Sequence, residues 1–223
     1  MQGRVLMLMI PPMRRTAPLL LVALTACATP RLAPLVNPTP VAPQVPLPTI
    51  TLPPHSQRIV FQWRLQEAEL EVRGEGAARI AAPDSARVDL FVMGGLGSGA
   101  AWVIGDDMKL DAPEVLRRVL PPPAFLWAAL GRFAIPAGRD TVIARSDSLF
   151  TAEIGPEPRW RLTVRGKRIT RLERADGDRV IDRLERRDDG SLVYLHAPTR
   201  RLLTLTITRV DSVAPFDASI WRP

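Results

Sequence analysis

Cysteine is nearly absent from this sequence: Cys27 is the only one among 223 residues. A single thiol cannot form a disulfide within the chain, so the folded part must be held together by its hydrophobic core even in an oxidising compartment. Long apolar runs are missing as well, since no segment after Cys27 reaches the ~20 apolar residues that a membrane-spanning helix needs. These two absences exclude a disulfide-stapled domain and a helical membrane domain.

Histidine is also scarce, and neither His55 nor His196 lies in a pattern typical of catalysis or metal binding. A lone histidine is more often a structural hydrogen-bonding residue than a general base. Ser98 lies between two glycines, but the Gly-x-Ser-x-Gly spacing and the strand-to-helix setting of a nucleophile elbow are missing. The aspartate pairs 106–107 and 188–189 lie in glycine-containing turns, where a weak cation site is a minor alternative. We therefore expect no enzyme activity, no cofactor and no metal.

The charge pattern argues against nucleic-acid binding. The formal net charge is +7, and it loses three positive charges if a leader containing Arg4, Arg14 and Arg15 is removed. Basic and acidic residues are interspersed through the rest of the chain, as in the segments 171–174 and 182–186. This mixture is typical of a solvated surface and lacks the single-sign stripe of a nucleic-acid interface.

The residues before Cys27 have the layout of a bacterial lipoprotein signal. Met13-Arg14-Arg15 supplies a positive start, Ala17–Leu24 an apolar run, and Thr25-Ala26 the small residues that a signal peptidase accepts. The pattern predicts a signal peptide over residues 1–26, with Met13 as its true start, and acylation of Cys27 as the first mature residue. The alternatives are a buried free thiol and an ordinary signal peptide with an accidental cysteine. Two or three acyl chains on Cys27 would give a lasting membrane anchor.

Prolines crowd the stretch that follows this cysteine. Pro30–Pro54 contains nine prolines in 25 residues, with little charge and no hydrophobic period. Such a composition favours extended polyproline II conformation over packing. Pro30–Pro54 is therefore predicted to be a tether that reaches on the order of 75 Å. The predicted division of the mature chain is a lipidated cysteine with its tether over residues 27–54 and a folded domain over residues 55–223.

From His55 onward, apolar and polar residues alternate with the period of two that β-strands require. One long strand is predicted over 59–72, with a turn at Arg73-Gly74, and further strands at 77–80, 86–92, 100–104, 159–164, 169–173, 180–186, 192–196 and 202–210. Two apolar helices interrupt them, one opened by Pro113-Glu114 and one at Phe125–Leu130 that stops at Gly131. We predict a mainly β fold with short helices. It would be a curved antiparallel half-barrel, an incomplete β-barrel covered by the helices on its concave side, with an apolar cavity between the layers.

Four glycines surround a single leucine between two of these strands, in the segment Val92–Ala100. Glycine permits tight or positive-φ backbone, and Leu96, flanked by Gly95 and Gly97, has no neighbouring side chain to shield it. Two interpretations stay open. Leu96 either folds back and packs against the sheet, or it protrudes as an exposed apolar side chain that contacts a membrane or a partner's lipid.

Several of these segments together resemble the outer-membrane lipoprotein receptors of the LolB family, which belong with the periplasmic LolA carriers to one lipoprotein-carrier superfamily. The matching segments lie within residues 58–138, and they are Leu96–Ala101, Gly105-Asp106, Pro113-Glu114, Phe125–Gly131 and Ile135–Gly138. The resemblance implies a half-barrel whose apolar interior accepts the acyl chains of a lipoprotein. A soluble LolA-like carrier in the periplasm would deliver that cargo, and the receptor would release it into the outer membrane.

The resemblance also implies roles for particular residues. An exposed leucine after the third strand promotes membrane insertion in that family, and Leu96, between Gly95 and Gly97, is the matching residue. Ala28 after the cysteine implies, by enterobacterial sorting rules, a lipid anchor in the outer membrane with a monomeric domain facing the periplasm. The predicted lining of the lipid cavity is Phe61, Trp63, Leu65, Leu90, Val92, Trp102, Leu116, Phe125, Trp127, Leu203, Leu205 and Ile207.

Other functions fit the same sequence. An envelope lipoprotein with a structural or assembly role would have a filled interior, whereas a carrier or receptor would have an apolar cavity, and a relative could bind a different lipid. The sequence departs from the resemblance in its long proline-rich stretch and in the charged segments 141–158 and 175–190. The last residues, with Phe216 and Trp221, are predicted to pack back on the sheet.

Overall fold

The computed structural model describes residues 30–41, 47–95, 97–133, 140–146 and 148–222. Strands dominate it, joined by hairpins, with two short helices inserted midway. The strands are β1 (Thr39–Pro40), β2 (Gln57–Glu67), β3 (Leu70–Ala81), β4 (Ser85–Val92), β5 (Ser98–Ile104), β6 (Asp107–Asp111), β7 (Val142–Arg145), β8 (Phe150–Ile154), β9 (Arg159–Arg165), β10 (Arg168–Asp176), β11 (Arg179–Arg186), β12 (Leu192–His196) and β13 (Arg201–Ser212). The helices are α1 (Glu114–Arg117) and α2 (Pro123–Leu130).

All strands belong to one antiparallel sheet. The order across it is β1-β7-β8-β9-β10-β11-β12-β13-β2-β3-β4-β5-β6, so β13 pairs with β2 and brings the two halves of the chain together. The sheet does not close, because β1 and β6 lie at its two ends. This arrangement confirms the predicted fold class, a mainly β, open and curved half-barrel with short helices.

The core lies on one face of the curved sheet. In β2, Ile59, Phe61, Trp63 and Leu65 are buried while Arg58, Gln62 and Arg64 are exposed, as the alternation of a half-buried strand requires. The same rows continue across neighbouring strands, where Leu203, Leu205 and Ile207 of β13 face Leu65, Trp63 and Phe61 of β2. Most of these side chains join a single hydrophobic cluster with the residues of α2.

Helix α2 has start and stop signals that are visible in the sequence. Pro123 occupies its first turn, where a missing N–H costs nothing, and Gly131 ends it in the left-handed conformation at φ 92°. Phe125, Trp127 and their neighbours are buried around the whole helix circumference. The helix is therefore enclosed between the sheet and other chain segments, as expected for an element that is apolar all round.

The predicted strand boundaries need two corrections. The long strand over 59–72 is wrong: β2 ends at Glu67 and the chain reverses at Ala68, which has φ 49°, before β3 begins at Leu70. The turn predicted at Arg73-Gly74 is wrong as well, since both residues lie within β3. Strands β6, β7 and β8 were not predicted, because each has only four or five residues and lies in a charged stretch without a clear apolar alternation.

The proline-rich stretch packs against the domain wherever the structure describes it. Leu32 donates a backbone hydrogen bond to Asp178, and β1 adds two residues to the edge of β7. Farther on, Ile50 and Leu52 are only 7% and 4% exposed and belong to the main hydrophobic cluster. The prediction of a free tether up to residue 54 is therefore wrong for residues 30–41 and 47–54.

The C-terminal residues fold back on the outer face of the sheet, as predicted. A 3-10 turn at Ala218–Trp221 begins with Asp217, whose side chain accepts a hydrogen bond from the backbone N–H of Ser219. The rings of Phe216 and Trp221 meet edge to face, with centroids 5.8 Å apart. In the described part of the chain, neither helix has the length and hydrophobicity that a membrane crossing requires.

Candidate lipid-binding interior and its loop

The space between α2 and the concave face of the sheet contains a small cavity with an entirely apolar lining. Its volume is about 40 Å³. The lining residues are Ile59, Phe61, Ala78, Val88, Leu126, Ala129, Leu130, Leu192, Leu205 and Ile207. We refer to this space as the apolar cavity. No lining residue is charged or polar, so the cavity would attract an apolar ligand and offers nothing to orient a polar one.

Three predicted lining residues, Phe61, Leu205 and Ile207, do line the apolar cavity. Other predicted residues lie around it in the same hydrophobic cluster without contacting the empty space: Trp63, Leu65, Leu90, Val92, Leu116, Phe125, Trp127 and Leu203. The lining residues Ile59, Ala78, Val88 and Leu192 were not predicted, although each belongs to the same inward-facing alternation. Leu126, Ala129 and Leu130 were not predicted either, because a helix that is apolar all round does not reveal which side meets a cavity.

The size of the apolar cavity sets a condition on binding. Pockets that hold small ligands have volumes of roughly 300–1,000 Å³, well above the 40 Å³ found here. An acyl chain can enter only if one wall moves outward. Helix α2 is the smaller wall, with eight residues, whereas the opposite wall consists of long paired strands.

Trp102 was predicted to line the cavity, and this prediction is wrong. Its neighbours Ala101 and Val103 face the core with no exposure, so Trp102 points to the outer face of β5. There its Nε1 donates a hydrogen bond to the carbonyl oxygen of Ile220 at 2.9 Å, and the Arg87 guanidinium lies 5.0 Å from its ring centre. Trp102 thus anchors the C-terminal turn.

The described residues of the glycine-rich loop between β4 and β5 have open space around them. Gly94, Gly95 and Gly97 have φ of 83°, 74° and 136°, and a Cβ at any of them would meet nothing within 4 Å. Met93 is 60% exposed at the base of the loop. Leu96 itself lies outside the described residues, as do Cys27, the signal segment 1–26 and the Ile135–Gly138 segment. The two interpretations of Leu96 therefore both stay predictions.

A buried polar network lies on the inner face of β11. The fully buried Asp182 carboxylate accepts hydrogen bonds from Tyr194 Oη at 2.7 Å and from Arg174 Nε at 2.7 Å, and its Oδ1 lies 2.8 Å from His196 Nδ1. Burial, and then the neighbouring Asp182 carboxylate, raise the pKa of Tyr194 above its usual value. His196 is therefore part of a structural network. Across the described ranges, no three His, Cys, Asp or Glu side chains come together in a way that could hold a metal ion.

No protein-family model matches the sequence. No curated protein matches it either. Among solved structures, a LolA superfamily protein from Nitrosomonas europaea superimposes with a TM-score of 0.52 at 11% identity, over 78% of this chain and 93% of that chain. This chain therefore shares its fold with that protein.

Two further structures align over similar lengths. A domain named as an outer membrane lipoprotein-sorting protein from Vibrio parahaemolyticus has a TM-score of 0.49 at 9% identity, over 77% of this chain and 91% of that chain. A DUF1329 family protein from Desulfovibrio piger has a TM-score of 0.46 at 11% identity, over 75% of this chain and 90% of that chain.

Proposed function

We propose that this protein is an envelope lipoprotein that binds acyl chains between α2 and the sheet. The apolar cavity carries the proposal, because its lining contains no polar residue; under the proposal, α2 moves outward to admit the acyl chain. Each methylene transferred from water into such a space gains about 0.8 kcal/mol, so acyl chains would bind without any specific polar contact. Under this proposal the protein is a binding protein and not an enzyme.

The cargo is proposed to be a lipoprotein handed over by a LolA-like carrier in the periplasm. A receiver needs only a slightly more favourable cavity than its donor, since a difference of about 1.4 kcal/mol already shifts the distribution tenfold. Transfer in one direction then requires no nucleotide. The predicted acyl anchor on Cys27 would hold the receiver at the outer membrane, where the cargo is released.

The glycine-rich loop is proposed to be the part that contacts the membrane. Its described residues have open space around them, and Met93 and Phe91 beside it are 60% and 51% exposed. Leu96 would add a third apolar side chain at the tip. Exposed apolar groups that are flanked by glycines can approach a lipid surface closely, because no neighbouring side chain is in the way.

A structural or assembly role is the second candidate. The small volume of the apolar cavity favours it, because a nearly filled interior is what a protein that binds no lipid needs. In that case the exposed Phe91 and Met93 would contact another envelope protein. The two candidates differ in whether cargo enters the chain.

A transfer assay separates these candidates. The full chain carrying Cys27→Ser, which cannot be acylated, is mixed with a carrier loaded with a triacylated lipoprotein, and liposomes are then added. We expect cargo to move to the chain and on to the liposomes, and Leu96→Glu to abolish only the second step. Val210→Glu, a matched change at another exposed apolar residue, should leave both steps intact. Absence of the first step in the Cys27→Ser chain would favour the assembly role.

A further inference from the structure

Arg186 borders the apolar cavity from the inner face of the sheet. It follows Leu184 on the buried side of β11 and pairs across the strands with Leu192. Its Nη2 donates a hydrogen bond to the carbonyl oxygen of Ala129 in α2 at 3.1 Å. Leu192 and Ala129 both line the apolar cavity, so the guanidinium group lies at the edge of that space.

The charge of Arg186 has no counterion in the described part of the chain. Other arginines of the same strands are paired, such as Arg171 with Glu185, Arg174 with Asp182 and Arg183 with Glu173. Arg186 makes no such ion pair, and its Nε is shut off from solvent without a hydrogen-bond partner among the described residues. A partly buried cation with an unsatisfied N–H is costly, and proteins normally neutralise such a charge.

A second cation makes the surroundings of Arg186 more positive. Burial and, to a smaller extent, the nearby Arg168 lower the pKa of Arg186 to about 10. Arg168 begins β10 and is exposed, and it makes no ion pair within the residues that the structure describes. An anion placed beside Arg186 would relieve the repulsion between these two groups and would satisfy the free Nε.

We infer that Arg186 binds the anionic oxygen-bearing head group of an acyl lipid whose chain occupies the apolar cavity. This inference rests on the proposed acyl-chain binding and adds a charge preference to it. The planar guanidinium fork matches a carboxylate or a phosphate through two parallel N–H donors. Because Nη2 holds Ala129, the free Nε donates to the head group, and the second donor becomes available when α2 moves aside to admit the chain.

The test compares one acyl chain with and without a charge. Laurate, its methyl ester and inorganic phosphate are titrated into the full chain carrying Cys27→Ser, at a pH where laurate is ionised, and binding is followed by calorimetry. We expect laurate to bind about tenfold more tightly than methyl laurate, because a hydrogen bond to a charged group is worth at least that ratio. Arg186→Gln should remove this preference, so that laurate and methyl laurate bind that variant with equal affinity. Arg186→Lys should keep part of it, since the charge persists without the fork.

Controls separate this inference from the proposed function. Arg58→Gln removes the same charge beside the lining residue Ile59 but on the outer face of β2, and it should leave the preference intact. Equal binding of laurate and methyl laurate by the Cys27→Ser chain would overturn the head-group site and leave acyl-chain binding in place. Binding of neither would overturn both. Tight binding of inorganic phosphate alone would show a free-anion site and overturn the lipid assignment.

Discussion

The indole ring of Trp63 occupies the space beside Gly74 on the neighbouring strand. The two residues face each other across β2 and β3, and a Cβ at position 74 would overlap both the ring and the carbonyl oxygen of Phe91. Trp63 Nε1 also donates to the carbonyl oxygen of Glu75 at 3.0 Å, which fixes the ring in this position. Phe61 covers Gly76 in the same way one row along the sheet. The two glycines thus make room for the two largest side chains of β2.

This packing predicts that Gly74→Ala destabilises the fold. The methyl group would meet backbone and a ring that is already held by a hydrogen bond, so neither neighbour can move cheaply. Overpacking of this kind costs about 1–3 kcal/mol, and urea denaturation should show a loss in that range. Combining Gly74→Ala with Trp63→Leu, which vacates the space of the ring, should recover part of the loss. No loss in the single variant would contradict the close approach of the ring.

Ile50 in the proline-rich stretch is predicted to be a core residue. Ile50→Ala should lower the free energy of unfolding by about 2–4 kcal/mol, because the side chain is 7% exposed within the main cluster. Val36 lies in the same stretch and is 78% exposed, so Val36→Ala serves as the matched control and should change little. Equal effects in the two variants, measured by thermal unfolding, would mean that the stretch is a free tether after all.

The sequence predicts the inner face of the sheet where large apolar residues alternate with polar ones. Leu203, Leu205 and Ile207 alternate with threonines, and the structure places them toward the core. Alternation gives no prediction for Ala101-Trp102-Val103. Three apolar residues follow one another there, so the pattern does not indicate which of them face the core. Size favours the tryptophan as the core residue, yet the small neighbours face inward and Trp102 supports the C-terminal turn.

Two other features could not be predicted from the sequence for a related reason. Ile50 and Leu52 are two residues apart, as core residues of a strand would be. The surrounding prolines, however, are typical of an unpacked segment, so the sequence did not predict that these two side chains are buried. Arg186 lies in an arginine-acid strand that resembles a solvated surface. Only the pairing of β11 with β12 and the contact with Ala129 place this residue beside the apolar cavity. In both cases the deciding contact joins segments far apart in the chain.

The C-terminal turn is predicted to stabilise the domain. Truncation after Ala214 removes the hydrogen-bond acceptor of Trp102 and the edge-to-face pair of Phe216 and Trp221. We expect the free energy of unfolding to fall by about 2 kcal/mol, since apolar area and a hydrogen bond are both lost. Phe91→Ala, at a half-exposed ring on the outer face of the adjacent strand, should cost much less. An unchanged melting temperature after truncation would refute the structural role of this turn.

The buried Tyr194 is predicted to make the free energy of unfolding depend on pH in the alkaline range. Its folded pKa is raised above the ordinary value of 10.0, so the native state keeps the phenol protonated where the unfolded chain ionises. The unfolded state then binds fewer protons than the native state, and stability that is complete below pH 10 falls as pH rises further. The expected decrease is about 1.4 kcal/mol per pH unit from this group.

Because Tyr194 is the only tyrosine in the chain, its ionisation can be observed directly. Tyrosinate absorbance should appear together with unfolding and not before it. Tyr194→Phe should begin less stable by about 1 kcal/mol, through loss of the hydrogen bond to Asp182, and should then lose less stability above pH 10. Ionisation of Tyr194 near its ordinary pKa in the folded protein would contradict this prediction. It would show that water reaches the phenol group and the Asp182 carboxylate.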